Sequence, residues 1–176
     1  MSPPNFITLG RIILVPVIIA MIVANRWSWA FALFVIAGLS DAVDGFIAKR
    51  FNMTTELGAF IDPLADKALL VSLYVTLAVV GAIPAWLTIL VVSRDVIILG
   101  AVIVAWILDR PLEIRPLLVS KLNTGAQIGF AAWVIGARAF SASPGPAIDA
   151  GGLIVAALTL ASGAAYFAIW TRHMAE

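Results

Sequence analysis

Cysteine is absent from the chain, and histidine occurs once, as His173. These absences exclude disulfides, thiolate metal ligands and a cysteine nucleophile, and they argue against a histidine-ligated metal or a histidine base. Charge is scarce as well: Asp, Glu, Lys and Arg make up 12% of the 176 residues, against about 25% in an ordinary soluble domain. A formal net charge of +1 provides no broad basic surface, so nucleic acid is not an expected partner. Hydrocarbon is what the sequence has in excess, with 62% hydrophobic residues and a mean hydropathy of +1.07. This balance predicts an all-α integral membrane protein surrounded by membrane lipids. Met1 to Asn5 carries no basic residue and Arg11 interrupts the first apolar run, so no cleavable signal peptide is expected.

Six apolar runs reach the length of about 20 residues that a spanning helix needs. They fall at Phe6–Ala24, Ser28–Ala48, Ile61–Val80, Ile83–Leu108, Leu117–Ile135 and Ala150–Trp170. The connections are short and show no internal repeat, which predicts a single bundle of six transmembrane helices forming one domain over residues 1–176. An even number of spans puts both termini on one side. Lys49, Arg50, Arg110, Arg115, Lys121 and Arg172 fall on that side, and Arg26 and Arg138 on the other. The excess of basic residues places the termini in the cytoplasm, as for a protein of an inner (cytoplasmic) membrane. Trp27, Trp29, Trp86 and Trp170 stand near predicted helix ends, as an interfacial aromatic belt would, and Ser141–Pro146 reads as an external turn.

Against this background four aspartates stand out, in the stretch D-A-V-D-G-F-I-A-K-R-F-N-M-T-T-E-L-G-A-F-I-D-P-L-A-D from Asp41 to Asp66. Asp41 and Asp44 are spaced i, i+3, and Asp62 and Asp66 i, i+4, so on helices each pair shares a face. The short connection between Lys49 and Ile61 makes the two segments antiparallel neighbours, whose carboxylate pairs can then face each other. A charge at the centre of a membrane helix costs roughly 2.5–3.5 kcal/mol, and four facing carboxylates also repel one another. A pair of hard divalent cations, which prefer oxygen ligands and act together in phosphoryl chemistry, neutralises such a cluster. The stretch therefore predicts a two-metal site, about one to two turns from the cytoplasmic end of its helix at about 1.5 Å per residue.

Other polar positions carry two readings each. Asn5 can cap the first helix, and Arg11 can snorkel to the interface; alternatively Thr8 and Arg11, spaced i, i+3, reach into the same polar cavity as the aspartates. Arg94 and Asp95 are neighbours, hence about 100° apart on a helix. Asp95 reads as a counter-charge for Arg94 or Arg11, and Arg94 either as half of that ion pair or as an anion ligand. Lys121, Thr124 and Gln127 follow an i, i+3 spacing, and this polar stripe either anchors the fifth segment at the interface or lines the cavity. Gly45 and Gly58 either allow close helix packing or let substrate approach the backbone beside a ligand. Pro63 suits the first turn of a span that begins at Ile61.

With these residues in view, the chain resembles the CDP-alcohol phosphatidyltransferases, whose signature is D-x2-D-G-x2-A-R-x8-G-x3-D-x3-D. Asp41, Asp44, Gly45, Ala48, Gly58, Asp62 and Asp66 match it, and Lys49 stands where the family has arginine. Lysine keeps the charge but lacks the planar fork that grips phosphate in two places. Within the family, A-G-L-S-D-A-V-D-G-F-I-A, L-G-A-F-I-D-P-L-A-D-K, S-R-D-V and S-K-L-N-T-G-A-Q look like the mitochondrial-type cardiolipin synthase branch. That branch transfers the phosphatidyl group of CDP-diacylglycerol to phosphatidylglycerol and releases CMP. The rival branch, the phosphatidylglycerophosphate synthases, takes glycerol 3-phosphate and typically carries a further arginine after the fourth-span R-E or R-D pair. Here Arg94-Asp95 is followed by V-I-I-L-G-A-V-I-V, without a second cation.

The resemblance implies a six-span homodimer in which Asp41, Asp44 and Asp62 ligate two Mg²⁺ or Mn²⁺ ions. Asp66 stands at the edge of that cluster and is the candidate base, with a ligand role also open. Asp44, Gly45, Lys49, Gly58 and Thr8 are then expected at the nucleotide, and Arg11, Arg94, Lys121 and Thr124 at lipid or acceptor phosphates. A divalent-cation transporter would also bury acids. Such sites usually lie near the midplane between internal repeats, and neither feature is seen here.

Overall fold

The computed structural model describes the backbone of residues 3–51, 56–107, 118–142 and 145–175, and the side chains of 13–40, 67–101, 104, 107, 118–142 and 145–171. The described residues are helical throughout, apart from turns, and contain no strand. In chain order the helices are α1 (Pro3–Val23), α2 (Trp27–Phe51), α3 (Glu56–Val79), α4 (Ala85–Ile107), α5 (Leu118–Ala139) and α6 (Pro146–Ala175). Each expected apolar run falls on one of them, because long apolar segments without strong breakers satisfy their own backbone hydrogen bonds only as helices. Proline opens α1 and α6, where its missing N–H is not needed, while Pro16 inside α1 removes one donor from the helical ladder. Several helices extend beyond the expected runs: α2 ends at Phe51 rather than Ala48, α5 at Ala139 rather than Ile135, and α6 runs from Pro146 to Ala175 rather than from Ala150 to Trp170. Helix α3 begins at Glu56 rather than Ile61, so Pro63 lies beyond the first turn.

Three helices end in the same way. Arg26 N bonds Met21 O at 2.8 Å while Asn25 N bonds Ile22 O at 3.0 Å; Ala82 N bonds Leu77 O at 2.8 Å while Gly81 N bonds Ala78 O at 3.0 Å. At the end of α5, Ala142 N bonds Ala137 O at 2.8 Å and Ser141 N bonds Arg138 O at 3.2 Å. This paired pattern is the Schellman cap, which needs a left-handed residue at its centre. Asn25, Gly81 and Ser141 occupy those centres with φ of 58°, 69° and 54°. Space is open around Gly81, so only backbone strain opposes a side chain there. Gly81→Ala is expected to lower stability by about 1–2 kcal/mol, measurable by thermal unfolding in detergent.

The helices group into two compact units. The first holds α1, α2, α3 and the end of α5, with α1 packed on both α2 and α3. Ile18, Ile22, Ala30, Leu73, Tyr74 and Leu77 fill its core together with Ala131, Val134 and Ile135. Gly136 lies under the Phe31 ring, where an added Cβ would come within 3.0 Å of ring carbon Cε2. Phe31 in turn meets Phe140 edge-on at 5.8 Å, and Arg138 lies 5.6 Å over the Trp27 ring. The second unit holds α4, the first part of α5 and α6, with α4 packed on α6 around Leu87, Val91, Phe130 and Val155.

Apolar side chains fill the core and also cover much of the surface, and several polar ones are buried. Large exposed side chains include Ile36, Leu39, Val79, Ile89, Ile97, Leu160 and Phe167, whereas Arg94, Asn123, Gln127, Thr159 and Ser162 are buried. Among the described residues, one helix is long and apolar enough to cross a membrane, over the 26 residues Pro146–Thr171. The shorter described apolar stretches are Ile13–Val23, Trp27–Ser40 and Lys67–Val79, which lie on α1, α2 and α3.

Candidate functional site

The aspartates lie on continuous helix. Asp41 and Asp44, with Gly45 and Lys49, belong to the second half of α2; Gly58, Asp62 and Asp66 belong to the first half of α3. Thr8 and Arg11 belong to the first half of α1, the helix that packs on both. Residues 52–55 join the end of α2 to the start of α3. Measured from those two joined ends at about 1.5 Å per residue, Asp44 and Asp62 stand about 10 Å in and Asp41 and Asp66 about 15 Å in. Counted along each helix, the two pairs thus stand at similar distances from the ends that the connection joins. The side chains of all these residues lie outside the described part of the structure, and with them the expected metal and nucleotide contacts.

The second set of expected residues, on α4 and α5, is described in full. Arg94 and Asp95 form an ion pair at 2.6 Å, with side chains 6% and 9% exposed. Neighbours on a helix point about 100° apart, and the length of the arginine side chain closes that gap. Arg94 Nη1 donates to Asp95 Oδ1, while Nη2 donates to Ser120 Oγ on α5 at 2.8 Å and to Ser162 Oγ on α6. The guanidinium carbon lies 5.6 Å from the centre of the Tyr166 ring, a cation–π distance. Of the two sequence readings of Arg94, the ion pair is therefore formed, and two of its three nitrogens are engaged within the protein. Its Nε is buried without a hydrogen-bond partner.

The stripe Lys121, Thr124, Gln127 does not share one environment. Lys121 is exposed and Thr124 half-buried, with Thr124 Oγ1 donating to Ser120 O at 3.1 Å. Gln127 is fully buried and donates to Thr159 Oγ1 at 3.5 Å, and Thr159 donates to Asn123 Oδ1 at 2.9 Å. These contacts make a polar seam along α5 and α6, and sequence reasoning missed its α6 side. A signal existed: Thr159, Ser162 and Tyr166 are spaced i, i+3, i+7, which is one helical face.

The described residues form an all-helical fold with two aspartates on each of two consecutive helices. Sequence comparison identifies the family. The model of the family described as CDP-alcohol phosphatidyltransferase matches residues 1–171, and the chain belongs to that family. It is similar to a probable cardiolipin synthase (CMP-forming) of Drosophila melanogaster, 32% identical over 189 aligned residues that cover 98% of this chain and 58% of the relative. The human cardiolipin synthase (CMP-forming) is 34% identical over 154 residues, covering 78% of this chain and 51% of the relative. A probable phosphatidylglycerophosphate synthase of Mycobacterium tuberculosis is 36% identical over 99 residues, or 52% of this chain and 46% of that protein. The chain thus spans little more than half the length of the cardiolipin synthases it matches.

Proposed function

We propose that this protein is a CMP-forming cardiolipin synthase, an enzyme of phospholipid biosynthesis that transfers the phosphatidyl group of CDP-diacylglycerol to phosphatidylglycerol. The observation that carries the reading is the extent of similarity. The cardiolipin synthases align over 98% and 78% of the chain, and the phosphatidylglycerophosphate synthase over 52%. The absence of a second cation after Arg94-Asp95 points the same way, since a phosphomonoester such as glycerol 3-phosphate calls for more positive charge than a lipid phosphodiester. The reading takes residues 1–176 as one domain of six transmembrane helices in an inner (cytoplasmic) membrane, with both termini and the reaction on the cytoplasmic side, working as a homodimer. Large apolar side chains exposed on both units, among them Ile36, Leu39 and Val79 on the first and Ile89, Ile97 and Leu160 on the second, support a lipid surrounding.

The donor set on α2 and α3 fits divalent cations: four carboxylates, two on each helix, hard oxygen ligands without a competing thiolate or imidazole among them. Asp41, Asp44 and Asp62 would hold two Mg²⁺ or Mn²⁺ ions, with Asp66 beside them. Bound there, such ions supply charge neutralisation for the pyrophosphate and the departing CMP. Asp66 takes the proton of the acceptor hydroxyl as its oxygen bonds to the diacylglycerol-bearing phosphorus and the bond from that phosphorus to CMP breaks. Asp44, Gly45, Gly58, Lys49 and Thr8 hold the nucleotide, with Lys49 giving a single-point contact in place of the family arginine's fork. Arg11, Lys121 and Thr124 hold lipid or acceptor phosphates.

The test is CMP release from CDP-diacylglycerol by the purified protein in detergent, with Mg²⁺ or Mn²⁺ and phosphatidylglycerol or glycerol 3-phosphate in parallel. Phosphatidylglycerol is expected to stimulate release and yield cardiolipin, and chelation to stop it. Stimulation by glycerol 3-phosphate alone would move the protein to the phosphatidylglycerophosphate branch. Folded protein that releases no CMP with either acceptor would overturn the enzyme reading and make metal-ion flux in liposomes the next assay.

A further inference from the structure

We propose that Arg94 is a positioning residue for acceptor binding, acting through Ser120 to fix the first turn of α5, and thus the placement of Lys121; this rests on the proposed reaction. The first turn of a helix has N–H groups without intrahelical partners and is the part most free to fray. Helix α5 starts at Leu118, so Ser120 and Lys121 both stand in or at the edge of that turn. Lys121 is exposed. Its neighbour Ser120 is held twice. Its hydroxyl accepts from Arg94 Nη2 at 2.8 Å, and its carbonyl oxygen accepts from Thr124 Oγ1 at 3.1 Å.

The anchor behind that contact is rigid for physical reasons. Arg94 is 6% exposed, neutralised by Asp95 at 2.6 Å, stacked near Tyr166 and hydrogen-bonded to Ser162 on α6. A charge-assisted hydrogen bond out of such a site is stronger and better directed than one made at the surface. One turn further along, Thr159 bonds Asn123 at 2.9 Å, so the seam continues from Ser162 to Thr159 on α6 and from Ser120 to Asn123 on α5. Three of the guanidinium's five N–H donors go to an aspartate and two serines on α4, α5 and α6, an arrangement that holds these helices together.

Two mechanisms are then separable by variants that leave the arginine in place. Ser120→Ala should raise the KM for phosphatidylglycerol roughly tenfold, the scale of losing one hydrogen bond to a charged group. Under the proposal, kcat and the KM for CDP-diacylglycerol stay near wild type, and Ser120→Thr, which retains the hydroxyl, restores the acceptor KM. Direct contact between Arg94 and the acceptor phosphate predicts the opposite: Arg94→Lys raises the acceptor KM while Ser120→Ala and Ser162→Ala leave it unchanged. That pattern would overturn the proposal. So would a uniform fall in kcat with a lowered melting temperature and no KM split, which marks a scaffold role only. If the wild-type protein releases no CMP, the proposed reaction fails separately. A double-mutant cycle on melting temperature, pairing Arg94→Lys with Ser120→Ala, then still decides the tie, with strict additivity counting against it.

Discussion

Asp66→Asn will lower CMP release by about 10²–10⁴-fold, the range typical of removing a general base, while CDP-diacylglycerol binding stays measurable. Asparagine preserves the shape of the side chain and one oxygen, but it cannot accept the acceptor's proton at neutral pH. Asp66 lies one turn after Asp62 on the unbroken helix α3, so the amide sits at the same helical position and the backbone has no reason to move. Substrate binding, measured with labelled CDP-diacylglycerol in the presence of Mn²⁺, separates the possible roles. Loss of turnover with binding intact identifies a base. Loss of both identifies a metal ligand, and retained turnover removes Asp66 from the chemistry.

How much of this was legible before the structure depends on the length scale of the signal. The helices were legible because apolar runs of spanning length leave the backbone few other conformations, and each run lies on one helix. Start points were less so: α3 extends back through E-L-G-A-F to Glu56, a stretch that the expected span leaves to the connection. The spacing of Asp41, Asp44, Asp62 and Asp66 was readable as two helical faces, and continuous helix through all four positions agrees with it. Contacts between distant segments were not readable. Ser120 and Ser162 are 42 positions apart and meet only through Arg94, and small hydroxyl residues in an apolar helix do not by themselves announce a partner. Arg94 and Asp95 illustrate the reverse limit. Helical geometry separates adjacent Cβ atoms by about 100°, yet a long flexible side chain crosses that angle to reach its buried counter-charge.

Arg94→Met will destabilise the protein by about 3–5 kcal/mol, the usual effect of removing one member of a buried ion pair. For a chain of this size that corresponds to a fall of roughly 10 °C in melting temperature, and differential scanning fluorimetry in detergent reads it. The effect comes from what is left behind as much as from what is lost. Asp95, with its side chain 9% exposed, loses the cation at 2.6 Å while its charge stays in a low-dielectric interior. Arg94→Met combined with Asp95→Asn should recover most of the loss, because replacing both members of a buried pair is often near neutral. Ser120 and Ser162 can turn their hydroxyls to carbonyls of their own helices, as Thr124 already does toward Ser120, so they add little to the residual cost. An arginine held open for a ligand phosphate predicts a different sign. A buried guanidinium awaiting its anion is itself a burden on the ligand-free fold, and its removal would leave stability unchanged or raise it. The sign of the shift in the single variant, read without any substrate present, therefore distinguishes an arginine that holds helices from one that waits for lipid.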